Sequence, residues 1–256
     1  MVRRLLALGL LAISLAAPGT QAQTAPAGTA PPAVNAVDPA SIQALKDMGA
    51  FLLTLKRYQV STEVTGERVL ADGQKLQHSA SAKLDVVRPN RLHVTMRTAF
   101  SQRELTYDGK VVTLYFPAQK YYSTVKFSDT IGDLIDRFEA NYGVQIPLQD
   151  LFLFGTPAAR FDDFESAMIA GQDIIGGEVC DHYAFRRGTL DWQVWIASGS
   201  RPLPRKLVIT NRADEARPQS VSLISWNLKP SFTDTVFKFT PPKGSTKIEI
   251  IERRTK

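Results

Sequence analysis

The stretch LDWQVWIASGSRPLPRKLVIT, residues 190–210, is typical of two β-strands joined by a turn rich in Gly, Ser and Pro. Side chains alternate between the faces of a strand, so Trp192 shares one face with Val194 and Ile196. Trp195 lies on the other face, among polar neighbours. Both faces of this strand therefore need cover, and what provides that cover decides the fold.

Three further predicted strands lack the clean alternation of an antiparallel sheet with one solvated face. They are KVVTLYF (110–116), EVCDHYAFRR (178–187) and VSLISWNL (221–228). Asp-Gly pairs at 72–73 and 108–109 lie between alternating runs and are strong hairpin signals. The pattern predicts an antiparallel meander that is partly covered on both faces.

A first helix is predicted from Pro39 to about Lys56. Asp38 can cap the free N–H groups of its first turn, and Pro suits the first helical position. The apolar residues that follow recur at helical spacing, so one face of this helix should pack against the sheet. They are Ile42, Leu45, Gly49 and Leu52, with Phe51 and Leu55 beside them.

A helical insertion is predicted over about 128–168, between two runs of strands. Its first helix has an apolar face at i, i+3, i+4, i+7 spacing, and Ser128 or Asp129 is the predicted cap. Pro147 can begin a second short helix, and FDDFESAM (161–168) is compatible with a third. The apolar face consists of Ile131, Leu134, Ile135 and Phe138.

The N-terminus has the pattern of a secretory signal peptide. Arg3 and Arg4 precede an uncharged apolar run, and small residues follow it. That run is shorter than the roughly 20 residues of a membrane span. We therefore expect a cleaved signal over 1–22 and a soluble protein in the periplasm.

The rest of the chain is expected to contain one folded domain. An uncharged Ala/Pro-rich stretch over 23–37 predicts a disordered linker. The domain should cover 38–251, because antiparallel β domains of roughly 200–250 residues often form one unit. A basic tail over 252–256 ends the chain.

Composition argues against several classes of function. The formal net charge is +6, and the basic residues are scattered, so transient contact with an anionic membrane surface is compatible with the sequence whereas nucleic acid is not expected. The single cysteine, Cys180, cannot form an intrachain disulfide. None of the histidines lies at zinc-ligand spacing, so no metal and no cofactor is predicted.

Two groups of polar residues have both a structural and a catalytic or metal-binding interpretation. Cys180 and His182 share a strand face. They can form a nucleophilic pair, but we favour the interpretation that they are only packing neighbours. Asp162, Asp163 and Glu165 form an acidic cluster that can attract a cation but lacks a calcium-loop pattern, so a solvated helix start is favoured.

Several stretches resemble the periplasmic lipoprotein carriers of the LolA/LolB/LppX-like superfamily. VFKFTPPKGSTKIEI (236–250), in which VFKFT is a predicted strand, is similar to their terminal strand motif, and VRPNRLHV (87–94) is similar to an early hairpin turn. The whole chain is most similar to a related group of predicted periplasmic proteins, domain of unknown function 2092. This resemblance implies a mostly β (α+β) fold, a curved antiparallel half-open β-barrel with helices covering its concave side.

The resemblance and the two-faced strands predict a monomeric, non-enzymatic protein. It binds a lipid, a lipoprotein acyl chain or another hydrophobic ligand in the half-barrel, as carrier or sensor, and the helical insertion opens as a lid. One alternative is an envelope protein-interaction or stress-sensor domain, in which Phe152, Phe154 or Tyr142 contacts a partner. A less favoured one is a hydrolase that depends on His182. The predicted lining residues are Met96, Phe116, Leu134, Phe138, Leu151, Phe152, Phe164, Trp195 and Trp226.

Overall fold

One large sheet dominates residues 36–252, the part of the chain that a computed structural model describes. The predicted signal peptide, residues 23–35 of the predicted linker and residues 253–256 of the tail lie outside this part. At its start, Ala36 and Asp38 form backbone hydrogen bonds with Ala167. In this part of the chain, no helix is both long and apolar enough to cross a membrane.

The sheet contains twelve strands within the described residues. They are β1 (Arg57–Val69), β2 (Lys75–Val87), β3 (Arg91–Thr98), β4 (Gln102–Tyr107), β5 (Val111–Phe116), β6 (Tyr121–Lys126), β7 (Ser166–Ile175), β8 (Glu178–Arg187), β9 (Leu190–Ala197), β10 (Pro204–Asn211), β11 (Gln219–Asn227) and β12 (Thr246–Lys247).

The strand order is β12-β6-β5-β4-β3-β2-β1-β11-β10-β9-β8-β7. Every neighbouring pair is antiparallel except β12 and β6, which are parallel. The edges β12 and β7 do not pair with each other in the described sheet, so the curved sheet stays open. The predicted class, mostly β with a half-open antiparallel architecture, is confirmed.

Helix α1 (Pro39–Thr54) lies where the sequence predicts it. The Asp38 side chain accepts a hydrogen bond from the backbone N–H of Ala40 at 3.1 Å, so the predicted N-cap is confirmed. The face that packs inward includes Leu45, Met48 and Leu52, whose side chains are almost completely buried.

Helix α2 (Ile131–Tyr142) buries all four predicted apolar residues. Its cap is Thr130 rather than Ser128 or Asp129. Thr130 and Asp133 form a reciprocal capping box, which satisfies two N–H groups that a helix start leaves free. The short helix α3 (Asp150–Leu153) follows soon after Pro147.

The third helix predicted over 161–168 is wrong. Residues 161–165 are not helical, and β7 begins at Ser166. The backbone N–H of Glu165 already bonds to the carbonyl of Arg186, so the ladder between β7 and β8 begins here. The apolar spacing of this stretch reflects Phe161 and Phe164 packing into an aromatic cluster.

The strand predicted for VFKFT is also wrong. A 3-10 helix occupies Asp234–Phe237, and the terminal strand is only the two residues of β12. Asp234 bonds to both Arg57 and Arg91, which fixes the segment against the ends of β1 and β3. Phe239 then packs against the rings of Tyr115 and Tyr122, outside the ladder.

Both faces of the sheet are partly covered, as the two-faced strands predict. The concave face is the one against which α1, α2 and α3 pack, and it carries two adjoining apolar clusters. The opposite, outer face carries a small cluster around Cys180, Trp195 and Val208. Trp192 lies on the concave face and Trp195 on the outer face.

A candidate ligand cavity

A cavity of about 450 Å³ lies on the concave face, over β9, β10 and β11. This volume is within the range of roughly 300–1,000 Å³ that small-molecule sites occupy. Its floor consists of Trp192, Val194, Pro204, Leu207, Ile209 and Ile224. Its walls and roof include Met48, Leu148, Leu151, Leu153, Phe154 and Phe164.

Strand register explains the apolar floor. Leu207 lies opposite Val194, and Ile209 opposite Trp192, in the antiparallel ladder of β9 and β10. Directly opposed side chains in such a ladder point to the same face, so the apolar residues of two strands merge into one surface. Leu207 and Ile209 therefore alternate on the floor, and a register shift between Pro204 and Lys206 places Pro204 on the same face.

Aromatic rings form one wall of the cavity. The Trp192 ring stacks on Phe185 with centroids 4.3 Å apart, and Phe164 lies 6.0 Å from Trp192. Phe154 approaches the same ring at 6.5 Å. These rings pack against one another, so one side of the cavity is a continuous aromatic surface.

The roof, which we call the cover, consists of α3 and the loop that follows it to residue 165. A very close backbone approach fixes it to α1, because a Cβ at Gly49 would lie 2.6 Å from the nitrogen of Gly155. Gly155 also has φ +82°, a conformation that favours glycine. Any side chain at either position would push the cover away from α1.

Ion pairs hold the cover to the turn between β8 and β9. Asp163 on the cover pairs with Arg187 at 2.7 Å, and Arg160 approaches Asp163 at 3.8 Å. Glu165 accepts a hydrogen bond from the backbone of Gly188 and pairs with Arg212. Arg160, Arg187 and the turn residues line the cavity, so this ion-paired seam is its mouth.

The acidic cluster predicted from the sequence therefore forms ion pairs with arginine side chains. Asp162, Asp163 and Glu165 each pair with an Arg side chain. They do not lie at a helix start, since residues 161–165 are not helical. Among the residues the structure describes, no group of three or more His, Cys, Asp or Glu side chains is placed to bind a metal ion.

Asp150 is the carboxyl group within the cavity lining. Its residue surface is exposed, although protein atoms crowd around the carboxyl group and desolvate it. This desolvation, with a smaller contribution from Glu139, raises the pKa of Asp150, and the positive charge of Arg187 opposes the shift. Asp150 is thus a polar group poised beside an apolar space.

The nine predicted lining residues fall into five places. Leu151 and Phe164 line the cavity. Leu134, Phe138 and Phe152 are buried in the solid core next to it, and Met96 and Phe116 lie at the margin of that core. Trp226 packs between the two clusters and donates from its indole N–H to the carbonyl of Pro204. Trp195 is on the outer face, opposite to the cavity.

Trp195 belongs to a polar and aromatic network on the outer face. Its ring stacks on His182 at 3.9 Å, and Lys206 Nζ lies 4.3 Å from its centroid. Its indole N–H donates to Asp173 at 2.7 Å. The directly opposed residues on β8 and β10, His182 and Lys206, therefore cover the Trp195 ring.

Cys180 and His182 share the outer face but are arranged for packing. The Cys180 side chain is completely buried, and desolvation raises the pKa of its thiol, which disfavours the thiolate that a nucleophile needs. His182 Nε2 lies 2.9 Å from Gln193 Oε1, and its ring stacks on Trp195. Their geometry gives no support to a nucleophilic pair.

The cavity residues that sequence reasoning missed are mainly floor residues. Met48, Val194, Leu207 and Ile209 read as ordinary apolar strand or helix positions. The strand register could have identified them. When β9 is paired with β10 through the turn that joins them, the floor residues of the two strands lie side by side. Arg160 and Arg187 had no distinguishing sequence signal.

A family model described as "Predicted periplasmic protein (DUF2092)" matches residues 41–251. The chain belongs to this family. The match covers α1, the whole sheet and the cavity, so the site lies inside the family's domain. A comparison with curated protein sequences finds no significant match.

Several solved structures are similar at low identity. LppX, a lipoprotein of Mycobacterium tuberculosis, is 15% identical over 76% of this chain and 98% of that chain, with a TM-score of 0.45. LprF of Mycobacterium bovis is 14% identical over 82% and 100%, with a TM-score of 0.44. A LolA superfamily protein of Nitrosomonas europaea is 12% identical over 81% and 99%, with a TM-score of 0.34. Likenesses of this degree say nothing about ligand or partner.

Proposed function

We propose that the protein binds one acyl chain, or a hydrophobic ligand of similar size, in the cavity and acts in the periplasm as a carrier or sensor. The observation that carries this proposal is an apolar space of about 450 Å³ on an otherwise packed face. Moving apolar surface from water into such a space is favourable without any specific polar contact. Export through the predicted signal peptide over 1–22 is part of the same proposal.

The volume suits a single chain. At roughly 30 Å³ for each heavy atom, the cavity holds about 15 heavy atoms. A fatty chain of about twelve carbons therefore fits inside. Each buried CH₂ contributes about 0.8 kcal/mol, so a chain of this length supplies useful affinity.

The mouth gives the ligand an orientation. The floor is apolar, whereas Arg160, Arg187 and Asp150 lie at or near the opening. An amphiphile therefore enters with its chain on the floor and its polar end at the ion-paired seam. Exchange requires the cover to separate from the turn between β8 and β9, which breaks the Arg187–Asp163 pair.

Filling the cavity tests this proposal. Ile209→Trp places a large ring over the floor, and we expect it to weaken binding of a fluorescent C12 fatty acid at least tenfold while the fold is kept. Ile174→Trp is the matched control, because Ile174 is exposed on β7, far from the cavity. Equal affinity for both variants and the wild type would overturn the proposal.

The cavity has no arrangement that supports catalysis. An active site needs a nucleophile or base within hydrogen-bond reach of partners that orient it. The candidate pair Cys180 and His182 lies on the outer face, with a buried thiol. We therefore propose binding without turnover, and the absence of ester hydrolysis by the purified protein is the expected result.

Interaction with an envelope protein is a second candidate function. The edge strand β7 is exposed beyond Ala167, and an open edge can pair with an added strand. Met168, Ile169 and Ile174 are exposed apolar residues on it. Of the predicted contact residues, Phe152 is buried and does not present a surface.

Photo-crosslinking in intact cells tests this second candidate. A crosslinker at residue 174 should yield one protein adduct, and the same group at the exposed Glu215 should yield none. Adducts at both positions, or at neither, would exclude a partner on the β7 edge.

A further inference from the structure

The turn between β3 and β4 displays an aromatic side chain in solvent. Phe100 is 97% exposed, the highest value among the large apolar side chains of residues 36–252. Nothing in the fold requires an apolar residue here, because this side chain contributes nothing to the core. An exposed aromatic ring is unfavourable in water and becomes favourable once something apolar receives it.

The turn holds Phe100 in a defined position. The Thr98 N–H donates to the carbonyl of Ser101 at 2.8 Å, and Thr98 Oγ1 lies 3.0 Å from Ser101 Oγ. The backbone N–H groups of Phe100 and Ser101 both donate to Thr98 Oγ1. The ring is therefore presented on a preorganised tip, and docking it requires little additional ordering.

Two arginines flank this tip. Arg97 and Arg103 are both exposed. Arg97 pairs with Gln102 in the ladder, and Met96 pairs with Arg103, so the two arginines lie on opposite faces of the hairpin. An aromatic ring between basic side chains suits the interface of an anionic membrane, where rings sit at headgroup level and arginines meet phosphates.

The tip and the cavity mouth lie at the same end of the sheet. In an antiparallel sheet, alternate turns lie at the same end. The turns β1–β2, β3–β4, β10–β11 and β8–β9 share one end, given the strand order and pairing. The β8–β9 turn forms the mouth, so a surface that receives Phe100 also faces the mouth.

We propose that the β3–β4 turn is a membrane-docking site that inserts Phe100 among the lipids of an anionic phospholipid bilayer. Arg97 and Arg103 bind the phosphate groups on either side. Docking in this way brings the mouth of the cavity towards the bilayer. The site is separate from the cavity, so this proposal can fail while ligand binding stands.

Vesicle binding of the mature protein tests the proposal. We expect Phe100→Ser to weaken binding to vesicles of phosphatidylglycerol and phosphatidylethanolamine about tenfold. Arg97→Gln and Arg103→Gln should each weaken vesicle binding about fivefold. Added salt should also weaken vesicle binding. Ile174→Ser is the matched control, since it removes an exposed apolar side chain beside the β7–β8 turn, at the other end of the sheet from Phe100.

Insertion has a direct optical readout. Phe100→Trp should show a blue-shifted emission on these vesicles, and brominated acyl chains should quench it more than they quench wild type. Ile174→Trp should show neither change. The proposal is overturned if Phe100→Ser and wild type bind the vesicles equally, or if brominated lipids do not quench the tryptophan of Phe100→Trp. Either result would favour a protein pocket as the receiver of Phe100.

A solution measurement separates this proposal from the cavity. Dodecanoate binding below its micelle concentration should be unchanged by Phe100→Ser, because Phe100 does not line the cavity. Loss of dodecanoate binding in that variant would contradict the separation of the two sites.

Discussion

The two halves of the concave face differ in how they are covered. Over β1 to β5, helix α2 fills the space with four buried apolar side chains, and the core is solid. Over β9 to β11, helix α1 contributes Met48 at one side, the cover adds only the four residues of α3 and an irregular loop, and a cavity remains. Both floors are apolar faces of paired strands, with a register shift between Pro204 and Lys206 on the cavity side. Strand pattern therefore builds the floor, whereas the elements that pack over it decide whether space is left.

Removal of a leucine side chain should cost more stability in the solid half than in the half with the cavity. Leu134→Ala, in the solid half, should lower the free energy of unfolding by about 2–5 kcal/mol, because the packed surroundings cannot collapse onto the lost volume. Leu207→Ala, on the half-buried cavity floor, should cost clearly less, since the removed atoms already border empty space.

Urea unfolding followed by circular dichroism measures both free energies. The two variants should also differ in ligand binding. Leu207→Ala should change the affinity for a C12 chain, and Leu134→Ala should not. Equal losses of stability in the two variants would show that the halves are packed alike.

A smaller effect concerns the ion-paired mouth. Arg187→Gln removes the partner of Asp163 at a partly exposed site, so we expect a loss of stability below about 1 kcal/mol. Release of a bound fatty chain should become several times faster, because less holds the cover to the β8–β9 turn. Stopped-flow displacement of a fluorescent fatty acid measures the rate.

The control for the mouth is Arg205→Gln. Arg205 pairs with Glu178, away from the cavity lining. This variant should leave the release rate unchanged. The account of the mouth is wrong if both variants accelerate release equally, or if neither does.

The smallest expected effect follows from the raised pKa of Asp150. A carboxyl whose pKa is higher in the folded than in the unfolded chain destabilises the fold once ionised, so its contribution weakens stability as pH rises through those pKa values. Asp150→Asn should therefore raise the free energy of unfolding near pH 7 by less than about 1 kcal/mol, because cavity solvent screens the charge.

Chemical denaturation at several pH values checks this sign. The advantage of Asp150→Asn over wild type should shrink towards about pH 3, where the carboxyl is protonated in both states. An advantage that grows as the pH falls would mean that the Asp150 carboxylate is stabilised, not disfavoured, in the folded protein.

Most of the fold could be predicted from local hydrophobic periodicity in the sequence. The alternation around Trp192 and Trp195 correctly required cover on both faces, and helical spacing located α1 and the buried face of α2. Predictions failed where a tertiary contact outweighs spacing. Phe161 and Phe164 have helical spacing, but Phe161 packs beside Phe154 and Phe164 beside Trp192. Asp234 bonds to Arg57 and Arg91 and holds VFKFT outside the sheet.

The cavity was less accessible to sequence reasoning. Periodicity shows that Trp192 and Trp195 lie on opposite faces, but not which face is concave, and the residue chosen as lining was Trp195. Leu134 and Phe138 are as apolar as any lining residue, yet they fill the core. Whether an apolar side chain meets packing or space depends on the cover, whose loop has no periodic signal.

Methyl NMR of the delipidated protein during titration with dodecanoate is the most direct test of a ligand cavity over β9 to β11. We expect the methyl signals of Val194, Leu207 and Ile209 to shift saturably, whereas those of Leu84 and Leu134, buried in the solid half, stay in place. Shifts of equal size in both halves, or no shift at any of these methyls, would contradict a ligand cavity over β9 to β11.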